Sequence, residues 1–461
     1  MALRFVIIGG GPAGVQAATT AARLGAEVTL IERDVVGGAA HLWDCVPSKA
    51  VIATGERLQD VEAAASLGLR VQPASVDLDA LRLRVTELSE RIERQNLGLL
   101  ESQGVRIVRG TGRLVDAHTV EIAQGADVGP GTGTTVEQLH ADAVMVSTGS
   151  RPRIPEWAAP DGVRVLTTRD AYPPPELPEH LVVVGSGVTG VEFVQMFSSF
   201  GSRVTLIVSR QQVLPAKDPE VAAVLEDDFL RRGVQLLKGA RAVGVDVTDD
   251  GVTLHCDDGR NVAGSHCLLA IGSVPNVEGV GLEAAGVELD GGWVRTLDHH
   301  MRTNVQHVYV AGDVSGKLPL SSVATMQGRK IAEHVMGLHQ VDHRHLDYDK
   351  AASAIFTDPE VADVGLAEAD AFAEGRKVRV TKVPFVATAR ALIDGDPRGF
   401  VKIVSDPATG VILGGSIVGR HAAELISVLA VAVTNGLRAN DLAESLFVHP
   451  ALSEALSEAA E

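Results

Sequence analysis

The chain is poor in cysteine, with three in 461 residues, at positions 45, 256 and 267. An odd number with no close-spaced pair excludes the disulfide framework of a small secreted domain and suits free thiols in a reducing compartment. Basic charge is short as well. Lys and Arg number 41 against 59 Asp and Glu, a net charge of −18, which argues against a phosphate-backbone partner or an anionic membrane surface, so no nucleic-acid partner is expected. No apolar run is long enough to cross a bilayer, and no membrane span is expected. Residues 4–9 already read as a first core strand, so no cleavable leader is expected and the expected compartment is cytoplasmic. No close set of metal ligands stands out. What the chain does have is 45% apolar residues, enough at this length for the cores of two to four domains.

Phe5-Val6-Ile7-Ile8 runs into Gly9-Gly10-Gly11-Pro12-Ala13-Gly14, then an alanine-rich helical stretch to residue 24 and a second strand over 27–31 that ends at Glu32. This spacing predicts a dinucleotide-binding βαβ unit. Gly9 permits the tight turn, Gly11 lets backbone approach a pyrophosphate, Gly14 lets helix and strand pack closely, and Glu32 holds the ribose hydroxyls. A glycine pattern alone signals little more than a turn. The preceding strand, the following helix and the acidic residue make it specific.

A second copy follows. Leu181-Val182-Val183-Val184 leads into Gly185-Ser186-Gly187-Val188-Thr189-Gly190, a helix to residue 200 and a strand over 203–208. Two such units imply two dinucleotides. The second strand ends Val208-Ser209-Arg210, with no carboxylate where the first copy has Glu32. A carboxylate there would repel a 2′-phosphate, so a hydroxyl and a guanidinium in its place favour NADPH, with NADH possible. The alternative is that Arg210 is a solvated surface charge. Between the copies the clearest helical pattern covers 76–103. A strand over 106–112 leads to a close-packed Gly112, and the proline-rich stretch 158–177 reads as a crossing between domains.

The segment Gly37-Gly38-Ala39-Ala40-His41-Leu42-Trp43-Asp44-Cys45-Val46-Pro47-Ser48-Lys49 resembles the redox-active segment of the flavoprotein disulfide reductases, the lipoamide dehydrogenase-like family. There, two cysteines separated by four residues precede a hydrophobic residue and Pro-Ser-Lys. The resemblance continues along most of the chain. Residues 142–149, ending at Gly149, resemble the close of the first half of the FAD domain. Residues 268–272, ending at Gly272, with Pro275 and Asn276, resemble the exit from the NAD(P)H domain, with Ser273 replacing the usual arginine. Val308-Tyr309-Val310-Ala311-Gly312-Asp313 resembles the second FAD signature. Its aspartate holds the ribityl chain, and the helix from Ser321 points at the flavin ring. From about residue 346, strands over 356–365, 399–404 and 412–419 and a helix over 422–436 resemble the interface domain. It ends in His449-Pro450-Ala451-Leu452-Ser453-Glu454, where the family has a His and a Glu five apart that reach into the partner's active site. Phe447 stands where lipoamide dehydrogenases often have a further histidine.

The resemblance implies an α/β fold of two Rossmann-like dinucleotide-binding domains and an α+β dimerisation domain. The expected divisions are residues 1–150 and 276–345 for FAD, 151–275 for NAD(P)H, and 346–461 for a homodimer interface. FAD and NADPH are the implied cofactors. Lys49 and Glu192 are implied as an ion pair beside the flavin, and Cys45 as the thiol lying against it. Just before Pro47 at a helix start, and near a His449 imidazolium, Cys45 is expected to have a lowered pKa. Ala40 is the departure that changes the chemistry. It occupies the place of the thiol that attacks a substrate disulfide, and no cysteine in residues 455–461 replaces it. The expected activity is therefore hydride transfer from NAD(P)H through the flavin directly to a quinone-like acceptor. Alternatives are a soluble pyridine nucleotide transhydrogenase and a catalytically lapsed paralogue that binds or senses. Retention of Lys49, Glu192, His449 and Glu454 argues against lapse.

Overall fold

The computed structural model describes residues 2–124, 134–338 and 345–461. Two compact units divide the chain. The first is Met1–Ser48, Arg82–Pro152 and Ser273–Tyr348; the second is Lys49–Leu81, Arg153–Gly272 and Asp349–Glu461.

The first unit is built on a parallel sheet in the order Val308–Val310, Ala143–Val146, Arg4–Ile8, Glu27–Glu32, Arg106–Arg109. Its central strands are buried almost throughout, which is why they read as unbroken apolar runs rather than alternating ones. Helices Pro12–Arg23 and Ser321–Val335 meet where Gly328 lies on Ala13, so close that a Cβ on Gly328 would strike the Ala13 carbonyl. The run 106–112, expected as one strand, is two strands in different sheets. Arg106–Arg109 completes the parallel sheet, and Thr111–Leu114 begins a three-stranded antiparallel sheet with Thr119–Gln124 and Thr134–His140. The break falls at Gly110, whose N–H closes the parallel ladder on the Glu32 carbonyl at 2.9 Å. Periodicity marks a run as extended but does not identify the partner of each half.

The second unit contains the second Rossmann sheet, all parallel: Gln235–Lys238, Arg203–Val208, His180–Val184, His266–Leu269, Val165–Thr167. The edge strand Val165–Thr167 corrects the reading of 158–177 as a crossing. Only three residues long and flanked by turns, it carries too little pattern to be seen, yet Val165 and Leu166 are core residues. The same unit holds an antiparallel sheet in the order Ser353–Ile355, Glu360–Gly365, Ile412–Gly419, Phe400–Ser405, Arg379–Pro384. Helix Ala422–Asn435 buries Ile426, Leu429 and Val433 in that sheet's core. Among the described residues, no helix is long and apolar enough to cross a membrane.

Candidate active site

Strand Arg4–Ile8 delivers the chain to Gly9, whose φ of +106° needs glycine and where a Cβ would strike the Ser147 carbonyl. Gly14 lies against the Gly9 carbonyl, again leaving no room for a Cβ. Gly11 does the opposite. It is the N-cap of helix Pro12–Arg23, supplies no side-chain cap, and has open space where a Cβ would stand. The positive end of this helix is therefore uncovered by side chains, which is the cradle a pyrophosphate requires. Beside it Glu32 is buried, Oε2 accepting from Gly10 N–H at 2.6 Å and Oε1 from Asp34 N–H at 2.7 Å. Burial pushes its carboxyl pKa up, and the Asp34 and Gly10 N–H groups offset part of that rise.

Of the remaining flavin candidates of this unit, Gly112, Gly149 and Asp313 lie toward the carboxyl ends of the same sheet's strands. Gly112 fits between Ile8 and Ile31, where a Cβ would lie 3.2 Å from each side chain, and Gly149 takes φ +72° with open space beside it. Asp313 follows strand Val308–Val310, and its Oδ2 accepts from Ser150 Oγ at 2.7 Å. Ser321 is the exposed first residue of helix Ser321–Val335. Ser273, the departure at the domain exit, pairs with Pro152 in a short antiparallel ladder.

The second cradle, in the second unit, repeats the first. Gly185 has φ +107°, a Cβ on Gly190 would strike the Gly185 carbonyl, and Gly187 caps helix Val188–Ser199 with no side chain and with open space. The copies diverge after the second strand. Val208 is buried where Glu32 stands in the first copy, and Ser209 and Arg210 are exposed beyond it. The Arg210 carbonyl accepts from Gly239 N–H at 3.1 Å, which ties its backbone down and leaves the side chain in solvent. Gly272, with φ +94°, is open.

The redox segment has a geometry the sequence did not announce. Residues Ala40–Asp44 form a π-helical turn, and Cys45 N–H bonds the Ala40 carbonyl at 3.2 Å. Positions 40 and 45 thus lie one turn apart, and a π turn of this kind is common at functional sites. This turn leads straight into helix Val46–Ala63, so Cys45 stands immediately before a helix start. Cys45 is half-buried, and like Cys256 and Cys267 it forms no disulfide. Those two are core residues of the second unit. Burial raises both thiols, Cys267 to about 12, so neither offers a thiolate at neutral pH.

Lys49 and Glu192 meet within the second unit, Nζ lying 2.9 and 3.1 Å from the two carboxylate oxygens. Glu192 is 8% exposed and Lys49 31%. Phe356 joins them, its N–H donating to Glu192 Oε1 at 3.1 Å and its ring centroid lying 4.9 Å from the ammonium. His449 and Glu454 also meet. Nδ1 stands 2.7 Å from Oε1, and since a carboxylate can only accept, Nδ1 carries the proton and Nε2 is left as the basic nitrogen. Ala451 N–H donates to the other Glu454 oxygen at 2.9 Å, and this bond, followed by that of His449, holds the Glu454 carboxyl below the usual range. The His449 side chain is 73% exposed on its own chain. Phe447 is half-buried against the core of the C-terminal sheet.

Sequence reasoning missed Phe356 and Ser150. Phe356 acts on Glu192 through its backbone N–H, which no residue type advertises. Ser150 is one serine among many until the fold brings it to Asp313.

Two glycine-lined helix starts without side-chain caps, one followed by a buried carboxylate and one not, together with a thiol segment and two charged pairs, define an oxidoreductase that works with two dinucleotides. The chain belongs to the pyridine nucleotide-disulphide oxidoreductase family, which matches residues 3–328, with the family's dimerisation domain matching 351–460. It is thus a flavoprotein oxidoreductase whose family cofactors are FAD and NAD(P). It is 43% identical to the NAD(P)H dehydrogenase (quinone) of Mycobacterium tuberculosis, over 100% of this chain and 94% of that one. It is 34% identical to a dihydrolipoyl dehydrogenase of Zymomonas mobilis, over 98% and 96%. The crystal structure of LpdA from Mycobacterium tuberculosis superposes with a TM-score of 0.93 at 42% identity, over 99% of each chain.

Proposed function

We propose that this protein passes hydride equivalents from NADPH to a quinone-like acceptor without a redox disulfide. The observation that carries the reading is the π turn with Ala40 at one end and Cys45 at the other. One turn from Cys45, position 40 offers a methyl group and no second sulfur. Kinship with the Mycobacterium tuberculosis NAD(P)H dehydrogenase (quinone) supports the choice of acceptor. The net reaction is NADPH, a proton and a quinone giving NADP⁺ and a hydroquinone. Bound FAD supplies a carrier that takes two electrons from the nicotinamide and releases them to the acceptor.

The chain's own residues bind and orient. The Gly9–Gly14 turn and Glu32 would hold the adenosine and pyrophosphate of FAD, and Asp313, fixed by Ser150, would hold its ribityl chain. Gly185, Gly187 and Gly190 would hold the pyrophosphate of NADPH, with Ser209 and Arg210 at its 2′-phosphate. Lys49, balanced by Glu192, would place a positive charge beside the reacting ring, where it stabilises the charge that arrives with hydride. Cys45 would be a neighbour that donates charge to the flavin without reacting. In a homodimer, His449, its Nδ1–H tied to Glu454, would reach into the partner's site, take up the proton of the net reaction at Nε2 and pass it to the reduced acceptor.

Steady-state oxidation of NADPH with and without a quinone tests the reading. Oxidation that depends on quinone is expected. Transfer from NADPH to a second nicotinamide at a comparable rate would favour a transhydrogenase, and no turnover with either would mean a lapsed enzyme. Arg210→Ala is expected to raise the NADPH KM roughly tenfold, since a charge-assisted contact to phosphate is worth about 1.5 kcal/mol, while NADH is nearly unaffected. An equal loss with both cofactors would make the arginine structural.

A further inference from the structure

We propose that Phe356 is a positioning residue for the Lys49–Glu192 pair, fixing the carboxylate through its backbone and holding the ammonium through its ring. Glu192 accepts from Lys49 at both oxygens and from Phe356 N–H at 3.1 Å at Oε1. That third bond comes from the main chain, so it sets where the carboxylate lies with no rotamer of its own to lose. The ring completes the arrangement. Its centroid is 4.9 Å from Lys49 Nζ, within the distance at which an aromatic face attracts a cation. Lys49 is thus held on two sides, by a carboxylate and by a π face, and its remaining exposure of 31% is the opening through which it can act.

The segment carrying Phe356 is itself fixed. Thr357 is fully buried, its Oγ1 donating to the Pro359 carbonyl at 2.7 Å. Asp358 accepts from Arg398 at 2.6 Å, and Arg398 also holds the buried Asp228 at 2.7 Å. Glu360 accepts from Ala423 N–H at 2.9 Å, at the start of helix Ala422–Asn435. A short segment anchored at Thr357, Asp358 and Glu360 presents the N–H and the ring of Phe356 at one place. The C-terminal sheet is therefore a support for the ion pair within the same unit. A residue that only packed would need neither the backbone bond nor the ring's position over the charge.

A double-mutant cycle on the flavin-loaded chain tests the proposal. Phe356→Leu keeps the N–H and most of the apolar volume and removes the π face, and Phe356→Tyr keeps the face. In urea unfolding at fixed protein concentration, Phe356→Leu is expected to shift the equilibrium toward the unfolded state about two- to thirtyfold more in chains that carry Lys49 than in a Lys49→Met background. Phe356→Tyr should restore the wild-type value. Equal losses in the two backgrounds would show ordinary packing and overturn the proposal. The second readout is anaerobic bleaching of the flavin by NADPH, which rests on the pair lying beside the flavin. Phe356→Leu should slow the bleaching rate severalfold with the NADPH concentration dependence unchanged, and an unchanged rate would remove the positioning role. The unfolding cycle uses neither nicotinamide nor acceptor, so a failure of the quinone reading leaves it standing.

Discussion

Ala40→Cys is expected to give this chain the disulfide it lacks. The Cys45 N–H to Ala40 carbonyl bond closes one π turn, which sets positions 40 and 45 one turn apart, and a disulfide between them needs a Cα separation of roughly 4.4–6.8 Å. The oxidised variant, denatured, should titrate fewer free thiols than the three of the wild type and should recover two on incubation with NADPH. Lipoamide or glutathione disulfide should then be reduced above background. The wild-type chain should reduce neither, because Cys256 and Cys267 are buried with raised pKa values in the second Rossmann core. Disulfide reduction by wild-type protein at a rate comparable to quinone reduction would show that one thiol suffices, and the significance given to Ala40 would be lost.

The second large effect is a recovery of activity from two inactive proteins. Lys49→Ala leaves the buried Glu192 carboxylate without its counter-ion, which costs about 3–5 kcal/mol when such a pair is broken, and His449→Ala removes the proposed proton donor. Each variant should lose most quinone reduction. Mixed after dissociation, they form heterodimers in which one of the two composite sites has Lys49 from one subunit and His449 from the other. With two-fold symmetry and random exchange, recovery should approach about a quarter of the wild-type rate. The 73% exposure of His449 on its own chain is what a residue destined for a partner's site would show. Full exchange with no recovery would mean that each subunit completes its own site.

What could be read from the sequence divides along physical lines. Both cradles were legible because their requirements are steric and local. Gly9 and Gly185 need positive φ, Gly14 and Gly190 lie against a carbonyl, and both helices start without a side-chain cap. Each requirement selects glycine at a fixed spacing after a buried strand. The divergence between Glu32 and Val208 was legible for the same reason, since it follows a strand whose end the pattern locates. The split at Gly110 and the edge strand Val165–Thr167 were not, because strand pairing is decided by tertiary neighbours and a three-residue strand has no period. Residues 40–45 were recognised as a motif, but the π turn that stacks their ends is a backbone hydrogen-bond choice with no side-chain signature. Phe356 escaped because a backbone N–H and an aromatic face look in sequence like a core residue.

The central claim is that electrons leave the flavin without passing through sulfur, and the most direct test is quinone turnover by Cys45→Ser, measured by NADPH oxidation under anaerobic conditions with FAD content matched to wild type. Cys45 is a half-buried thiol outside any disulfide, at the end of a turn whose other end is alanine, so in this account it is a neighbour of the reaction and not a carrier. The account predicts that Cys45→Ser abolishes any long-wavelength charge-transfer absorbance and keeps quinone turnover within about tenfold of wild type, the 1.4 kcal/mol expected for a neighbour that does not react. Complete loss of quinone reduction in a folded, FAD-replete Cys45→Ser protein would contradict it and make Cys45 the carrier.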